Sequence, residues 1–249
     1  MIKLEKPFIS VKKPPLRRRR RRHHVAAEMA LHNIDVIPHQ LPFDTHEIFE
    51  VCVYSTMVRT TVTRAPEIVS QWISDVVSAN NSRRIGKMLV GVCVEWRPFF
   101  NPSTNNPPAA TLQLCVGRSC LVYHLNPIHI SGGGGPTIPS SLVNFLANPN
   151  HTFVGIGVEQ DVENLKRCYS IGYGMKAVDL RNLAAARYGM RELVSGGLND
   201  VATMTVGMDV RKPEGFSLME NQWITPNLLF ACIDSFVCFE IGHFFNASS

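Results

Sequence analysis

The sequence has no long apolar run and no pattern of paired cysteines. None of its 249 residues belongs to an uninterrupted apolar stretch near the roughly 18 residues that a membrane helix needs. The first twenty residues also lack the apolar core of a secretory signal, so we expect an intracellular protein. The seven cysteines are odd in number, form no C-x-x-C pair and mostly lie in apolar stretches. These features predict reduced thiols in a core and argue against a disulfide scaffold.

Charged residues are scarce, and they are unevenly distributed. They make up 18% of the chain against 45% hydrophobic residues, which excludes a wholly disordered protein. Residues 1–24 hold ten Lys or Arg and one acidic residue, a net charge of +9. The other 225 residues hold 15 basic and 19 acidic residues, a net charge of −4. The length suits one folded domain that carries a basic appendage.

The basic appendage is predicted to be a disordered arm over residues 1–45, followed by a folded domain over residues 46–249. The arm contains Pro14, Pro15 and six consecutive arginines at residues 17–22, and it has no apolar periodicity. Clustered guanidinium groups suit either a nuclear import signal or a grip on nucleic acid phosphates. A solvated tail without a dedicated role is the alternative. We expect the protein in the nucleus, the cytoplasm or both.

The rest of the chain alternates between strand-like and helix-like patterns. Hairpins are predicted for HEIFEVCVY with MVRTTVT and for ATLQLCV with CLVYHL. The apolar run KMLVGVCVEW predicts a central strand that is covered on both faces. Further strands are expected at TFVGIG and AVDL, and helices from Pro66, over SSLVNFLAN, EQDVENLKRCY and RNLAAARYG, and from Pro226. This order predicts one α/β domain with a mixed sheet flanked by helices.

Three acidic residues lie near the ends of these predicted elements. Cys93 and Glu95 are two apart on the central strand, so their side chains leave the same face. Asp161 falls in the first turn of a helix, where stabilisation of the helix dipole would by itself explain it. Phe230 and Asp234 are four apart on the last helix and share a face. Each acid alone is explained as a cap or a surface charge, and only their joint arrangement indicates a site.

Three blocks of sequence, in order, resemble the motifs of the Werner-syndrome-type 3'-5' exonuclease domain, especially its small plant members. LVGVCVEWRP stands where the family has a D-x-E strand, FVGIGVEQDVENL carries the second-motif Asp, and LLFACIDSFVCFEIG matches Y-x-x-x-D. The resemblance covers about residues 46–245. It implies the ribonuclease H-like fold of the DEDD exonucleases, an α/β mixed sheet flanked by helices, and action on the 3' ends of DNA or RNA. It also implies a helicase or repair protein as partner.

The resemblance assigns roles to the candidate residues. In the family, four acids hold two divalent metal ions, Mg²⁺ or Mn²⁺, and a tyrosine orients the attacking water. Glu95, Asp161 and Asp234 match three of those metal ligands, whereas Cys93 and Phe230 stand at the positions of the first Asp and of the Tyr. A thiol is a soft and mostly neutral ligand, and Phe has no hydroxyl. The resemblance therefore implies weak or absent metal binding and a weakened or lost exonuclease activity.

Two other functional hypotheses stay open at this stage. A catalytically inactive module that binds nucleic acid or another protein would keep the same fold. Residual Mn²⁺-dependent cleavage by the three remaining acids is the second. Cys93 as a nucleophile is less favoured, because no partner histidine is recognisable near it.

Two further patterns resemble binding sites only superficially. Cys115, Cys120, His124 and His129 have the order of a zinc knuckle, but their spacing is not a common structural zinc pattern. The four glycines at residues 132–135 lack the Lys-Ser/Thr of a phosphate-binding loop, which favours a flexible connector.

Overall fold

A computed structural model of the chain describes residues 34–39, 45–82, 86–96, 109–125, 138–211 and 226–247. Within these residues, eight strands form one mixed sheet and six α-helices cover its two faces. No helix in these ranges is long and apolar enough to cross a membrane. The predicted α/β fold with a mixed sheet flanked by helices is confirmed.

The strands are β1 (Ile34–His39), β2 (His46–Val53), β3 (Thr56–Thr63), β4 (Met88–Trp96), β5 (Ala109–Val116), β6 (Ser119–His124), β7 (His151–Gly155) and β8 (Ala177–Asp179). They are arranged in the order β1-β2-β3-β6-β5-β4-β7-β8. The pairs β3–β6, β4–β7 and β7–β8 are parallel, and the other pairs are antiparallel. Both predicted hairpins are present, and β4 lies inside the sheet as its apolar sequence predicts.

The helices are α1 (Pro66–Ser82), α2 (Ser140–Ala147), α3 (Val158–Tyr169), α4 (Leu180–Tyr188), α5 (Leu198–Thr205) and α6 (Pro226–Phe244), with a short 3₁₀ helix at Arg191–Ser195. Helices α1, α2 and α3 pack in one hydrophobic cluster on one face of the sheet. Helices α4, α5 and α6 pack in a second cluster on the other face. Successive side chains of β4 point to opposite faces of the sheet, so Val90 and Val92 belong to the first cluster and Cys93 packs against the second.

The sheet begins inside the segment that composition assigned to the basic arm. Strand β1 pairs antiparallel with β2, from Ile34 opposite Val53 to His39 opposite Ile48. It is the outermost strand, and an edge position tolerates Pro38, which has no N–H to donate. Because the arginine run dominates the composition of this segment, the composition does not predict the six-residue strand β1 within it. The remainder of the arm, residues 1–33 and 40–44, lies outside the described residues, so its disorder stays a prediction.

Helix α6 touches the backbone of the sheet because two glycines leave room for it. A Cβ atom placed on Gly91 of β4 would lie 2.0 Å from the carbonyl oxygen of Ser235 and 2.7 Å from the backbone nitrogen of Phe239. A Cβ on Gly242 of α6 would lie 2.7 Å from Cγ2 of Val154 on β7. Only hydrogen fits at either position. The helix therefore lies closer to β4 and β7 than any side chain would permit.

We predict that Gly91→Ala destabilises the fold through this contact. The added methyl group meets backbone atoms, which cannot rotate away, so α6 must shift outward. The expected loss is about 3 kcal/mol in the free energy of unfolding, measured by urea titration. Gly197→Ala is the matched control, because its Cβ meets nothing within 4 Å and its φ of −81° suits alanine. An equal stability of the two variants would contradict the close contact.

Candidate functional site

The carboxyl ends of three neighbouring parallel strands bring acidic residues to one edge of the sheet. Glu95 is the penultimate residue of β4, and Asp179 is the last residue of β8. Asp161 lies in the first turn of α3, which follows β7. Strand β7 pairs in parallel with both β4 and β8, so the three chain segments emerge side by side. This edge is where open α/β sheets place their ligand crevice.

The carboxyl group of Asp161 has a raised pKa. Burial, together with the negative charges of Glu95 and Asp179, raises the pKa of Asp161 from 3.8 to about 7. An electrostatic shift of this kind requires the three groups to lie close together. The sheet topology thus brings Glu95 and Asp161, which are far apart in the sequence, to the same edge of the sheet. A carboxyl group with such a pKa is only partly ionised near neutral pH.

Cys93 lies between strand β4 and helix α6. Its Sγ atom is 3.7 Å from the Sγ atom of Cys238. The hydrogen bond with Cys238, burial, and the negative charges of Asp234 and Asp161 raise the pKa of the Cys93 thiol well above its ordinary value. The thiol is therefore neutral at pH 7.

Helix α6 carries the remaining two candidate residues. Asp234 and Phe230 lie one helical turn apart, on the same face, and both are partly buried. The Phe230 ring packs against the cluster that fills the space between α6 and the sheet. The structure therefore places the five candidate residues on three elements: Cys93 and Glu95 on β4, Asp161 in the first turn of α3, and Phe230 and Asp234 on α6, which packs on β4. Even so, within the described ranges no three or more His, Cys, Asp or Glu side chains form a group that could hold a metal ion.

An ion pair that sequence reasoning missed supports the start of α3. The buried carboxylate of Asp179 accepts hydrogen bonds from the backbone N–H of Gly157, at 3.0 Å, and of Arg181, at 2.9 Å. The guanidinium of Arg181 also donates to Asp179, with Nη2 at 2.7 Å. Gly157 precedes α3 in a left-handed conformation, with φ +68°. An Asp directly before a predicted helix, in VDLRN, was the available signal, since this residue type favours the N-cap.

A second missed feature is a buried polar strip that runs across the sheet from the site. Gln113 of β5 lies opposite Cys93, and Thr111 lies opposite Glu95. Gln113 is fully buried, and its Nε2 donates to the hydroxyl of Thr111. Its Oε1 has no hydrogen-bond partner within the described part of the chain. Polar residues facing each other on paired strands are visible only once the register is known.

The zinc-knuckle pattern is divided by the fold. Cys115 and Cys120 face each other across the β5–β6 hairpin and are fully buried, and burial raises the pKa of both thiols. His124, at the end of β6, is also buried. His129 and the glycines at residues 132–135 lie outside the described residues. Buried cysteines with neutral thiols behave as small hydrophobic residues, so Cys115 and Cys120 are explained as part of the core.

The raised pKa of Asp161 predicts a pH-dependent stability in the metal-free protein. The folded state binds a proton more tightly than the unfolded state, so this stabilisation is complete below about pH 4 and is lost as pH rises to about 7. In EDTA, we expect the free energy of unfolding to fall by about 2 kcal/mol between about pH 5 and about pH 8. Asp161→Asn should remove most of this decrease, as measured by urea titration.

The control for this prediction is Asp75→Asn, which changes an exposed carboxylate on α1. This variant should keep the pH dependence of the unaltered protein. A pH dependence of Asp161→Asn equal to that of the control would show that Asp161 ionises normally.

Among known proteins, a 3'-5' exonuclease from Arabidopsis thaliana is similar in sequence. It is 30% identical over 134 residues, which are 53% of this chain and 43% of the relative. The match thus spans less than half of the relative's length. No family model matches the chain.

Two solved structures share the fold. Escherichia coli RNase D, an exoribonuclease involved in structured RNA processing, is matched over 75% of this chain and 44% of its own, with a TM-score of 0.56 and 15% identity. The Aedes aegypti Nibbler EXO domain is matched over 75% of this chain and 87% of its own, with the same TM-score and identity. At 15% identity, these two structures show that this chain shares their fold.

Proposed function

We propose that this chain binds nucleic acid as a member of the 3'-5' exonuclease family and that its hydrolytic activity is weakened or lost. The observation that carries the proposal is the position of Cys93. Its thiol is hydrogen-bonded to Cys238, and this bond, burial and the negative charges of Asp234 and Asp161 raise its pKa, so the thiol is neutral. The family places a carboxylate at this position.

The donor atoms do not fit a pair of hard divalent ions. Mg²⁺ and Mn²⁺ prefer oxygen ligands, and a neutral thiol is a poor substitute for a carboxylate. Glu95, Asp161 and Asp234 would remain as the oxygen donors, yet the described residues hold no group of three side chains suited to a metal ion. Phe230 also offers no hydroxyl to orient a water molecule. The two-metal chemistry of the family therefore does not fit the residues of this chain.

Without metal ions, the acidic edge opposes nucleic acid. Glu95, Asp161, Asp234 and Asp179 place negative charge where a phosphodiester would lie, and the Arg181 guanidinium is paired with Asp179 at 2.7 Å. Residues 25–249 also carry a net charge of −4. We expect the electrostatic attraction to phosphates to come from the basic arm, whose arginines release counterions on binding, or from local basic residues such as Arg83, Arg84 and Lys87.

The second candidate function is a protein-interaction module that has lost both nucleic acid binding and hydrolysis. The acidic edge and the net negative charge of residues 25–249 favour it. Residual cleavage in Mn²⁺ is the third candidate. One assay separates the three candidates: incubation of the full chain with a 3'-recessed labelled duplex and a labelled single strand, in Mg²⁺ or in Mn²⁺. Binding without cleavage supports the proposal, and cleavage in Mn²⁺ supports the third candidate. The absence of both binding and cleavage supports the second candidate.

We predict that two substitutions together restore hydrolysis. Cys93→Asp supplies the missing carboxylate and Phe230→Tyr supplies the hydroxyl, so the double variant should degrade a labelled 3' end in Mg²⁺ at least about 100-fold faster than the unaltered chain. Either single variant should recover little, because metal placement and water orientation act as one unit. Added Mg²⁺ should also raise the thermal midpoint of the double variant, since a ligand that binds only the folded state stabilises it.

The matched control adds Asp234→Asn to the double variant and should abolish any restored activity. A folded double variant that gains stability in Mg²⁺ and still leaves the 3' end intact would show that other positions of the site have also diverged. In that case the interaction module becomes the preferred function.

We also predict that residues 1–24 dominate nucleic acid affinity. A plot of the logarithm of the binding constant against the logarithm of salt concentration should become less steep when they are deleted. The magnitude of its slope should decrease by about 0.9 for each phosphate that the arm neutralises. Replacing the arginines at residues 17–22 with lysine should keep most of the slope, whereas replacing them with glutamine should remove it. An unchanged slope after deletion would exclude the arm from binding. The same variants also test nuclear import. If the arginines form an import signal, nuclear accumulation should decrease when they are deleted or replaced with glutamine.

A further inference from the structure

Five of the seven cysteines line the contact between α6 and the sheet. Cys115, Cys120 and Cys232 form one group, in which Cys120 Sγ lies 3.9 Å from the carbonyl oxygen of Cys232. Cys93 and Cys238 form a separate pair, with Sγ atoms 3.7 Å apart, next to the acidic edge. All five thiols are free. The pair is unusual because one member stands at a position where the family has a metal-binding acid.

The pair lacks the ligands of a metal centre. Two thiolates bound to one tetrahedral zinc ion, at about 2.3 Å each, would also lie about 3.7 Å apart. A structural zinc site needs four ligands, however, and the described residues provide no group of three or more potential ligands. Two thiols that are hydrogen-bonded to each other at 3.7 Å can also be oxidised to form a bond between their sulfur atoms.

The packing of α6 on β4 favours such a bond. A disulfide requires the two sulfur atoms to approach about 2.05 Å and the Cα atoms to lie within about 7 Å. Gly91, two residues before Cys93, allows the backbone of α6 to touch the backbone of β4 beside Ser235, and Cys238 lies one turn further along the helix. The sulfur atoms must therefore close a gap of only about 1.7 Å, without first crossing a layer of other side chains.

We propose that Cys93 and Cys238 form a reversible disulfide that joins β4 to α6 beside the acidic edge. The inference goes beyond the proposed function and does not depend on it. The oxidant is a peroxide, and the reductant that reverses the reaction is a small dithiol or thiol.

The reaction balances in two steps. The Cys93 thiolate attacks one oxygen of hydrogen peroxide, the O–O bond breaks, and the products are Cys93 sulfenic acid and, after protonation, water. The Cys238 sulfur then attacks the sulfenic sulfur, the S–O bond breaks, and the second water leaves with the thiol proton. Two thiols lose two electrons, and one peroxide gains them.

Access decides which cysteine reacts first. Cys93 is partly exposed, whereas Cys238 is fully buried, so the peroxide meets Cys93 and Cys238 resolves the sulfenic acid. Cys115, Cys120 and Cys232 are all fully buried, which denies them the same contact with peroxide.

The disulfide would change the site and the fold together. It would hold the Cys93 sulfur against α6, so that this atom could no longer reach a ligand between Asp161 and Asp234. It would also close a long chain segment between β4 and α6 and thereby restrict the unfolded state. The oxidised protein should consequently unfold at a higher temperature than the reduced protein.

The test treats the full chain with hydrogen peroxide or with dithiothreitol and digests it without reduction. We expect one linked pair of fragments, containing Cys93 and Cys238, whose mass is two hydrogens below the sum of the separate fragments. We also expect a rise of about 5 °C or more in the thermal midpoint, reversed by dithiothreitol. Cys93→Ala and Cys238→Ala should each lose the link and the rise, while Cys52→Ala and Cys168→Ala should keep both.

Three results would overturn the proposal. These are a link between Cys115 and Cys120 in place of the expected pair, oxidation of Cys93 to the sulfinic acid with no link, and a link that forms only in unfolded protein. Fragment mapping of the unaltered chain decides among them even if a variant fails to fold. None of these measurements involves nucleic acid or cleavage, so the disulfide and the proposed function can fail separately.

Discussion

The structure depends on the backbone contact between α6 and the centre of the sheet. Gly91 and Gly242 allow this contact, since any side chain at either position would meet backbone or core atoms within 2.7 Å. The contact sets the depth and direction of α6 and thereby the position of the candidate residues Phe230 and Asp234 on that helix. The Sγ atom of Cys238 therefore lies 3.7 Å from the Sγ atom of Cys93. If α6 lay further from the sheet, Asp234 and Cys238 would lie further from the residues of β4.

The acidic edge illustrates how burial and like charge combine in a site made of carboxyl groups. Asp161 is partly buried and faces the charges of Glu95 and Asp179, which together with burial raise its pKa to about 7. The Asp179 carboxylate is compensated by Arg181, so the ion pair stabilises the β8–α4 junction while its charge still acts on Asp161. Such crowding is costly to the fold, and residues at functional sites commonly carry costs of this kind.

Local patterns explain most of the secondary structure. Period-two alternation located the first hairpin, two apolar segments about a short turn located the second, and the apolar run from Met88 located the central strand, because these patterns are local properties of the chain. Strand β1 escaped this reasoning. Its sequence follows an arginine-rich segment and contains Pro38, and it becomes a strand only because β2 offers an unpaired edge. The pairing of β3 with β6 joins two hairpins that are separated by a helix and a strand, and no local pattern predicts it.

The sequence by itself determined the candidates for the site. Glu95, Asp161 and Asp234, with Cys93 and Phe230 at the two divergent positions, are legible as motifs because each motif lies within one element. The tertiary structure alone decided what surrounds them. Cys238, the Asp179–Arg181 pair and the buried Gln113 come from elements other than those of the residues they face, so their proximity depends on the register of the sheet and on the seating of α6. Spacing along a chain records which residues share an element, whereas contacts between elements arise only from packing.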